Sequence, residues 1–198
     1  MGTELEWKYE LPEQRSAEEI LAWEGVRARI AETPRLYHMR TSYFDTPDRR
    51  FAERLITVRR RMENERSVFC VKAPLQGADA RLRGEWETEA ASLAEALPRL
   101  AALGAPVDPV CAKDLAPVCG AEFQRRAVLL RFADGSAAEL ALDRGRLFGP
   151  ERSIPLHELE LEMKEGAPAA AESFAQELAA QFGLTLQEKS KFARAQAL

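Results

Sequence analysis

The stretch Glu4-Leu5-Glu6-Trp7-Lys8-Tyr9-Glu10-Leu11 decides the reading of this chain, because charged and apolar side chains alternate along all of it. A period of two is the mark of a β-strand, whose successive side chains point to opposite faces. The same pattern returns at residues 157–164 (HELELEMK), where Glu158, Glu160, Glu162 and Lys164 oppose Leu159, Leu161 and Met163. Between these two stretches, Arg59 and Arg61 share a face, Lys72 shares one with Val68 and Cys70, and Arg81, Arg83, Glu85, Glu87 and Glu89 fall together. Glu139, Ala141 and Asp143 form a further set. The alternation predicts eight strands, over 3–11, 36–45, 54–63, 67–74, 81–90, 122–133, 136–147 and 155–164.

Helices interrupt the pattern. Ser16 with Glu19 reads as a capping box that opens a helix to about Glu32, stopped by Pro34. Ser92 with Glu95 opens a second, kinked or shortened by Pro98 and closed by Gly104. Ala171, Phe174, Leu178 and Phe182 recur at helical spacing in a third, ended by Gly183. Asp134-Gly135 reads as a two-residue hairpin turn, and residues 104–121, with three Pro and two Cys, as a connector. Few connections are long enough for parallel crossovers, so the sheet is expected to be antiparallel. The expectation is one mainly-β α+β domain spanning residues 1–198.

Composition narrows the function classes. The chain has 198 residues, 46% of them hydrophobic and 30% charged, enough for a core and inconsistent with wholesale disorder. No apolar run reaches the roughly 20 residues that span a bilayer, and the charged N-terminus is unlike a secretory signal. Three cysteines without a CxxC pair argue against a disulfide framework, so a cytoplasmic location is expected. A net charge of −4 predicts no general affinity for nucleic acid or membrane. Phosphate-loop, dinucleotide, serine-hydrolase and HExxH motifs are absent from the sequence, and His38 and His157 lack Cys partners at zinc spacing.

Two architectures accommodate strands with one charged and one apolar face. One is an antiparallel sheet whose outer face is solvated. The other is a closed barrel, with its apolar face against helices and its charged face lining a polar tunnel. The charged faces carry runs of like carboxylates, which repel when directly opposite on neighbouring strands. A multivalent cation or interleaved Arg and Lys would relieve that repulsion, which favours the tunnel.

The residues resemble a known family. Glu4-Leu5-Glu6-Trp7-Lys8 is similar to the ExExK signature of CYTH domains, the triphosphate tunnel metalloenzymes, and the rest of the chain repeats that family's order of motifs. Residues 43–47 (YFDTP) match its Tyr-x-Asp-Thr-Pro turn, and residues 58–61 (VRRR) followed by 71–73 (VKA) resemble its basic strand pair. Arg83-Gly84-Glu85, the stretch 139–145 (ELALDRG), the Glu-x-Glu strand at 157–164 and the closing Ser190-Lys191-Phe192-Ala193-Arg194 complete the match. Arg60 stands where an apolar residue is usual, Ala127 where a second inward basic residue is often found, and Ala195 where Gly is usual. The ending is most similar to the family's bacterial inorganic triphosphatases. The fold implied is an eight-stranded antiparallel closed β-barrel with flanking helices.

The function implied is metal-dependent hydrolysis of inorganic triphosphate to pyrophosphate and phosphate. Other members of the family would make the same tunnel a class IV adenylate cyclase or a thiamine or nucleoside triphosphatase, and a module binding polyphosphate without turnover is the reading from another class. Lys8, Arg59, Arg61, Lys72, Arg83, Arg125, Lys191 and Arg194 would cradle the phosphates, because guanidinium and ammonium groups match phosphate oxygens. Glu4, Glu6, Glu160 and Glu162 would hold Mg²⁺ or Mn²⁺ as hard oxygen ligands. Lys8 and one of Glu85, Glu139 and Asp143 would act on the reacting groups, and the choice among those three carboxylates stays open. Arg60, Arg66 and Arg126 are expected on the outer surface. The expected partner is a small-molecule triphosphate, with no nucleic acid and no membrane; homodimerisation stays open.

Overall fold

The computed structural model describes residues 2–75, 83–107 and 112–198, with side chains from Leu5 onward. Cys111 and the first two positions of the expected fifth strand lie outside the described residues. In chain order the elements are β1 (Gly2–Glu4), β2 (Glu6–Glu10), α1 (Ala17–Ala22), α2 (Glu24–Arg27), β3 (Arg35–Asp45), α3 (Arg50–Glu53), β4 (Thr57–Glu63) and β5 (Arg66–Pro74). They continue with β6 (Arg83–Glu89), α4 (Leu93–Ala102), β7 (Ala116–Arg131), β8 (Ala137–Phe148), β9 (Ser153–Glu165), α5 (Ala169–Phe182), β10 (Thr185–Leu186) and α6 (Lys191–Gln196). Every strand pair is antiparallel, in the order β1-β6-β5-β4-β3-β7-β8-β9-β2-β10.

This corrects the expected eight-stranded closed barrel in two ways. Among the described residues there are ten strands, or nine when β1 and β2 count as two halves of one run. The ladder also does not close: it begins at β1, paired with β6, and ends at β10, paired with β2. The physical cause is the break at Leu5. Gly2, Thr3 and Glu4 pair with Glu85, Gly84 and Arg83, whereas Glu6 to Glu10 pair with Glu162 to Glu158 on the other flank. Consecutive residues thus serve both flanks, and the sheet curls until side chains of the eight strands β2 to β9 line one cavity.

Most apolar side chains point away from that cavity, whose lining also includes Met39, Tyr43 and Phe123 and touches Trp7 and Tyr9. Leu140, Leu142, Leu159, Leu161 and Val128 pack with Trp7 and Tyr9 against Ile20, Val26, Phe174 and Leu178 of the helices. Val58, Phe69, Val71 and Trp86 pack similarly against Phe51 of α3 and Leu97 and Leu100 of α4. Each fully buried side chain of this size contributes roughly 1.5–3 kcal/mol, so the two outer cores fix which face of each strand turns inward.

The expected helix starts hold in detail. Ser16 accepts a hydrogen bond from the Glu19 amide at 3.0 Å, and Ser92 from the Glu95 amide at 3.3 Å. The first helix is broken at Trp23, whose extended backbone sets its indole within 6.0 Å of Phe174 and 5.7 Å of Phe182; α2 then restarts. α4 runs through Pro98. Residues 116–121, expected in a connector, belong to β7, and the turn at Asp134-Gly135 is wider than two residues. Asp134 accepts from the Ser136 amide at 2.9 Å while Gly135 takes a φ of 86°. Gly145 is required by a close approach, since a Cβ there would lie 2.1 Å from the Glu122 carbonyl oxygen.

The motif around Asp45 is structural. Its buried carboxylate accepts from the amides of Thr46 (2.8 Å), Phe51 (3.1 Å) and Ala52 (3.0 Å), which anchors α3 at the rim of the cavity. After α3, Leu55 adopts a φ of 56°, a conformation that costs an L residue on the order of 1–2 kcal/mol.

Candidate active site

The cavity measures about 1220 Å³ and gathers most of the side chains that the alternation singles out. Its first wall comes from β4, β5 and β6. Register places Arg59 opposite Cys70 and Cys70 opposite Glu87, with Lys72 opposite Glu85 in the next inward row. Glu85 is held by Arg59 at 3.3 Å, Lys72 at 3.4 Å and the Cys70 thiol at 3.2 Å. Burial pushes the Glu85 carboxyl up, but Lys72 and Arg59 outweigh it and hold the group down at about 2. Arg61 pairs with Glu63 at 2.5 Å and reaches Glu87 at 3.6 Å. Arg83 donates to the backbone carbonyls of Leu55 at 2.7 Å and Lys72 at 3.2 Å, so it fastens the rim.

The second wall is more deeply buried and comes from β7, β8, β9 and α6. Arg125 grips Asp143 in bidentate fashion at 2.8 and 2.7 Å and reaches Glu160 at 2.5 Å. Ser190 caps α6, which delivers Lys191 to Asp143 (2.9 Å), Glu160 (2.7 Å) and Glu158, while Arg194 pairs with Glu158. Burial opposes charge on Glu160, yet Lys191, Arg125 and Lys8 hold its carboxyl well below the usual range. Glu158 is pushed up to about 7 by burial, against the pull of Lys191. Burial likewise opposes charge on Lys191, and Asp143, Glu158 and Glu160 reverse it and keep the ammonium protonated.

A third feature is a row across β8, β9 and β2. Glu139 lies directly opposite Glu162, and Glu162 directly opposite Glu6. Like charges in this register repel. Lys164 stands 2.8 Å from Glu162 and 4.0 Å from Glu139, and Lys8 stands 2.9 Å from Glu6. All three carboxylates face the cavity.

Three acidic groupings could therefore be considered for a metal. The ligand atoms of Asp143, Glu158 and Glu160 lie within 4.8 Å of one another, as do those of Cys70, Glu85 and Glu87. Each of these sets is already faced by Lys and Arg in close contact, so a cation entering there would meet positive charge. The Glu6, Glu139 and Glu162 row is more widely spaced, since its ligand atoms do not gather within 4.8 Å as those of the other two sets do. Its donors are all hard oxygens, as Mg²⁺, Mn²⁺ or Ca²⁺ prefer, with Lys164 and Lys8 beside them.

The sequence-derived residues fall as follows. Lys8, Arg59, Arg61, Lys72, Arg83, Glu85, Arg125, Glu139, Glu160, Glu162, Glu6 and Lys191 all line the one cavity. Asp143 and Arg194 sit behind it, locked into the second wall. Glu4 pairs through its backbone with Arg83, and its side chain lies outside the described residues. Arg60, on the opposite face, donates to Ser67, and Arg66 and Arg126 form exposed ion pairs with Glu89 and Glu18. Glu158, Glu87 and Lys164, which the alternation places on charged faces without a role, also join the site, as does Glu63, which shares its strand parity with Arg59 and Arg61. The buried Nε atoms of Arg61 and Arg194 have no hydrogen-bond partner among the described residues, and buried guanidinium donors of this kind suit an anion.

An antiparallel sheet curled around a cavity of paired acids and bases defines a class of charged-cavity protein. The chain belongs to the CYTH domain family, whose model matches residues 2–195. Solved structures similar to it include HpAC1 of Hippeastrum, proposed as an adenylyl cyclase and found to have a dominant triphosphatase activity (TM-score 0.63, 19% identity, covering 97% of this chain and 94% of that one). The PH1819 protein of Pyrococcus horikoshii is similar at TM-score 0.58 and 18% identity, covering 96% of this chain and 97% of that one. A Bacillus halodurans protein proposed as an adenylate cyclase is similar at TM-score 0.57 and 17% identity, covering 96% of each chain. At these identities the likeness concerns the fold. No curated protein matches the chain significantly. Among the described residues, no helix is long and apolar enough to cross a membrane.

Proposed function

We propose that this protein is a metal-dependent triphosphatase that cleaves inorganic triphosphate to pyrophosphate and phosphate. The observation that carries the reading is a single cavity with a guanidinium and ammonium wall (Arg59, Arg61, Lys72) opposite a row of carboxylates (Glu6, Glu139, Glu162). A triphosphate carries about four negative charges near neutral pH, and such a ligand needs both a cationic cradle and a route to a divalent ion. HpAC1, with its dominant triphosphatase activity, supports hydrolysis over cyclisation.

In this reading Arg59, Arg61 and Lys72 bind and orient the phosphoryl oxygens. Arg61 has a buried Nε still to satisfy, and Glu85 stays ionised and keeps Arg59 and Lys72 aligned. Glu6, Glu139 and Glu162 would hold Mg²⁺ or Mn²⁺, with Glu4 and Glu160 as the other carboxylates the family pattern offers. Bound there, such an ion supplies charge neutralisation to the phosphates and acidifies water. Phosphoryl transfer rests mostly on positioning and charge stabilisation, so no covalent nucleophile is required. Of the three carboxylates considered for orienting the attacking water, Asp143 is locked by Arg125 and Lys191, and Glu85 by Lys72 and Arg59. Glu139 has its ion-pair partner Lys164 at 4.0 Å, which leaves lone pairs for a water.

The test is incubation with tripolyphosphate and Mg²⁺ or Mn²⁺. Phosphate release that EDTA abolishes, and that Glu162→Gln reduces by at least tenfold, supports the reading. Binding without release would make the chain a binding module, and conversion of ATP to cyclic AMP without free phosphate would make it a cyclase; either result overturns the proposal.

A further inference from the structure

Three helices of this chain end in the same way, and one of them breaks the residue preference. After α4, the Ala105 amide reaches back to the Leu100 carbonyl at 3.0 Å and the Gly104 amide to Ala101 at 2.9 Å, with Gly104 at φ 88°. After α5, the Leu184 amide bonds the Ala179 carbonyl at 2.9 Å across Gly183, at φ 65°. After α3, the Ile56 amide bonds the Phe51 carbonyl at 2.8 Å and the Leu55 amide bonds Ala52 at 3.0 Å, with Leu55 at φ 56°. This ending calls for a left-handed residue just past the helix, and glycine fills it at least cost. Position 55 instead carries a large branched side chain, for which positive φ is an outlier.

That side chain does not repay the cost by packing inside. Leu55 is 69% exposed, whereas Phe51 and Ile56 on either side of the turn are buried. Leu55 lines the rim of the cavity together with Ala52, Leu75 and Arg83. Its position is firmly set: Arg83 holds its carbonyl at 2.7 Å, and Asp45 anchors the α3 turn before it. A rigidly presented apolar group beside a charged lumen has a ligand-facing use, since binding sites combine apolar contacts with a few fixed polar groups.

We propose that Leu55 is a specificity-determining residue, which packs against an uncharged organic group esterified to the triphosphate where that group leaves the tunnel. The proposal rests on the triphosphate reading of the cavity and goes beyond it, to triphosphates that carry an organic ester. Arg59, Arg61 and Lys72 would meet the phosphates whatever is attached, and Leu55 would distinguish an esterified triphosphate from the bare anion.

The experiment compares Mg-ATP with Mg-tripolyphosphate on the wild-type chain, Leu55→Asn and Leu55→Gly. Both replacements suit a left-handed backbone, so folding is preserved and the melting temperature should stay level or rise. The expected result is a KM for ATP raised about 3- to 10-fold, on the scale of uncovering part of one leucine side chain. KM for tripolyphosphate and both kcat values should stay within about twofold. Equal shifts for the two compounds, no shift for ATP, or wild-type protein that neither binds nor cleaves ATP would each overturn the proposal. If wild-type protein cleaves neither compound, the triphosphatase reading fails on its own. Calorimetric Kd values for the same two compounds then decide the rim: a loss confined to ATP in the variants supports Leu55, and an equal effect overturns it.

Discussion

Replacing Glu85 by Gln tests whether the first wall is organised by charge. The substitution keeps size and one acceptor oxygen but removes the negative charge between Lys72 (3.4 Å) and Arg59 (3.3 Å). The carboxyl falls from 4.5 to about 2 in the folded chain, because these two cations outweigh burial. A tenfold change in proton affinity is worth about 1.4 kcal/mol, so the ionised form stabilises the fold by about 3 kcal/mol at pH 7. The folded value is the depressed one, so this contribution is complete above 4.5 and is lost as pH falls toward 2. By pH 3 it drops to about 1 kcal/mol. For a chain of this size each kcal/mol corresponds to roughly 2–4 °C. Glu85→Gln should therefore melt about 6–12 °C below wild type at pH 7, with the gap less than half as wide at pH 3. Calorimetric melts of both proteins at pH 7, 5, 4 and 3 provide the measurement. A gap of equal width at pH 7 and pH 3 would refute the electrostatic account and leave only packing to explain the loss.

Two further outcomes follow from the same network. Lys191→Met removes the cation that contacts Asp143, Glu158 and Glu160 together, and leaves them Arg125 and Arg194 in contact among the described residues. Stranding a buried charge costs about 3–5 kcal/mol, so urea denaturation should show a loss of that size; a change below about 1 kcal/mol would disprove the balance described. Burial raises the thiols of Cys70 and Cys119 to about 12, so alkylation by iodoacetamide at pH 8, mapped by mass spectrometry, should be at least 100-fold slower at both than in denaturant. Rapid labelling of either in the native chain would contradict that burial.

Alternation carried most of what the sequence could say. It located strands at all eight expected places, and it separated Lys72 and Glu85 from Phe69 and Trp86 correctly, because the side-chain period of a strand is a local property. What it could not reveal was how the ends of the sheet meet. The break at Leu5 arises because Glu4 is recruited by β6 and Glu6 by β9, and nothing local in ELEWK signals a change of partner. α6 was read as a motif and not as a helix, since its six residues are held by Ser190 and by the buried pairs of Lys191 and Arg194, which are tertiary contacts. For the same reason the alternation puts Glu158 on the charged face with Glu160 and Glu162 but gives it no role, since its partners Lys191 and Arg194 come from α6. Leu55 left no trace in any pattern, because its meaning lies in a backbone angle.

The interrupted first strand also has a kinetic side. Gly2 must find Glu85, and four residues later Glu6 must find Glu162, so the opening segment of the polypeptide completes its pairing only when most of the chain exists. Such distant partnerships make for slow folding, and they make the opening segment a clasp between the two flanks of the sheet. The same clasp carries Trp7 and Tyr9 of the larger outer core, so undoing it would open the lumen and loosen that core together.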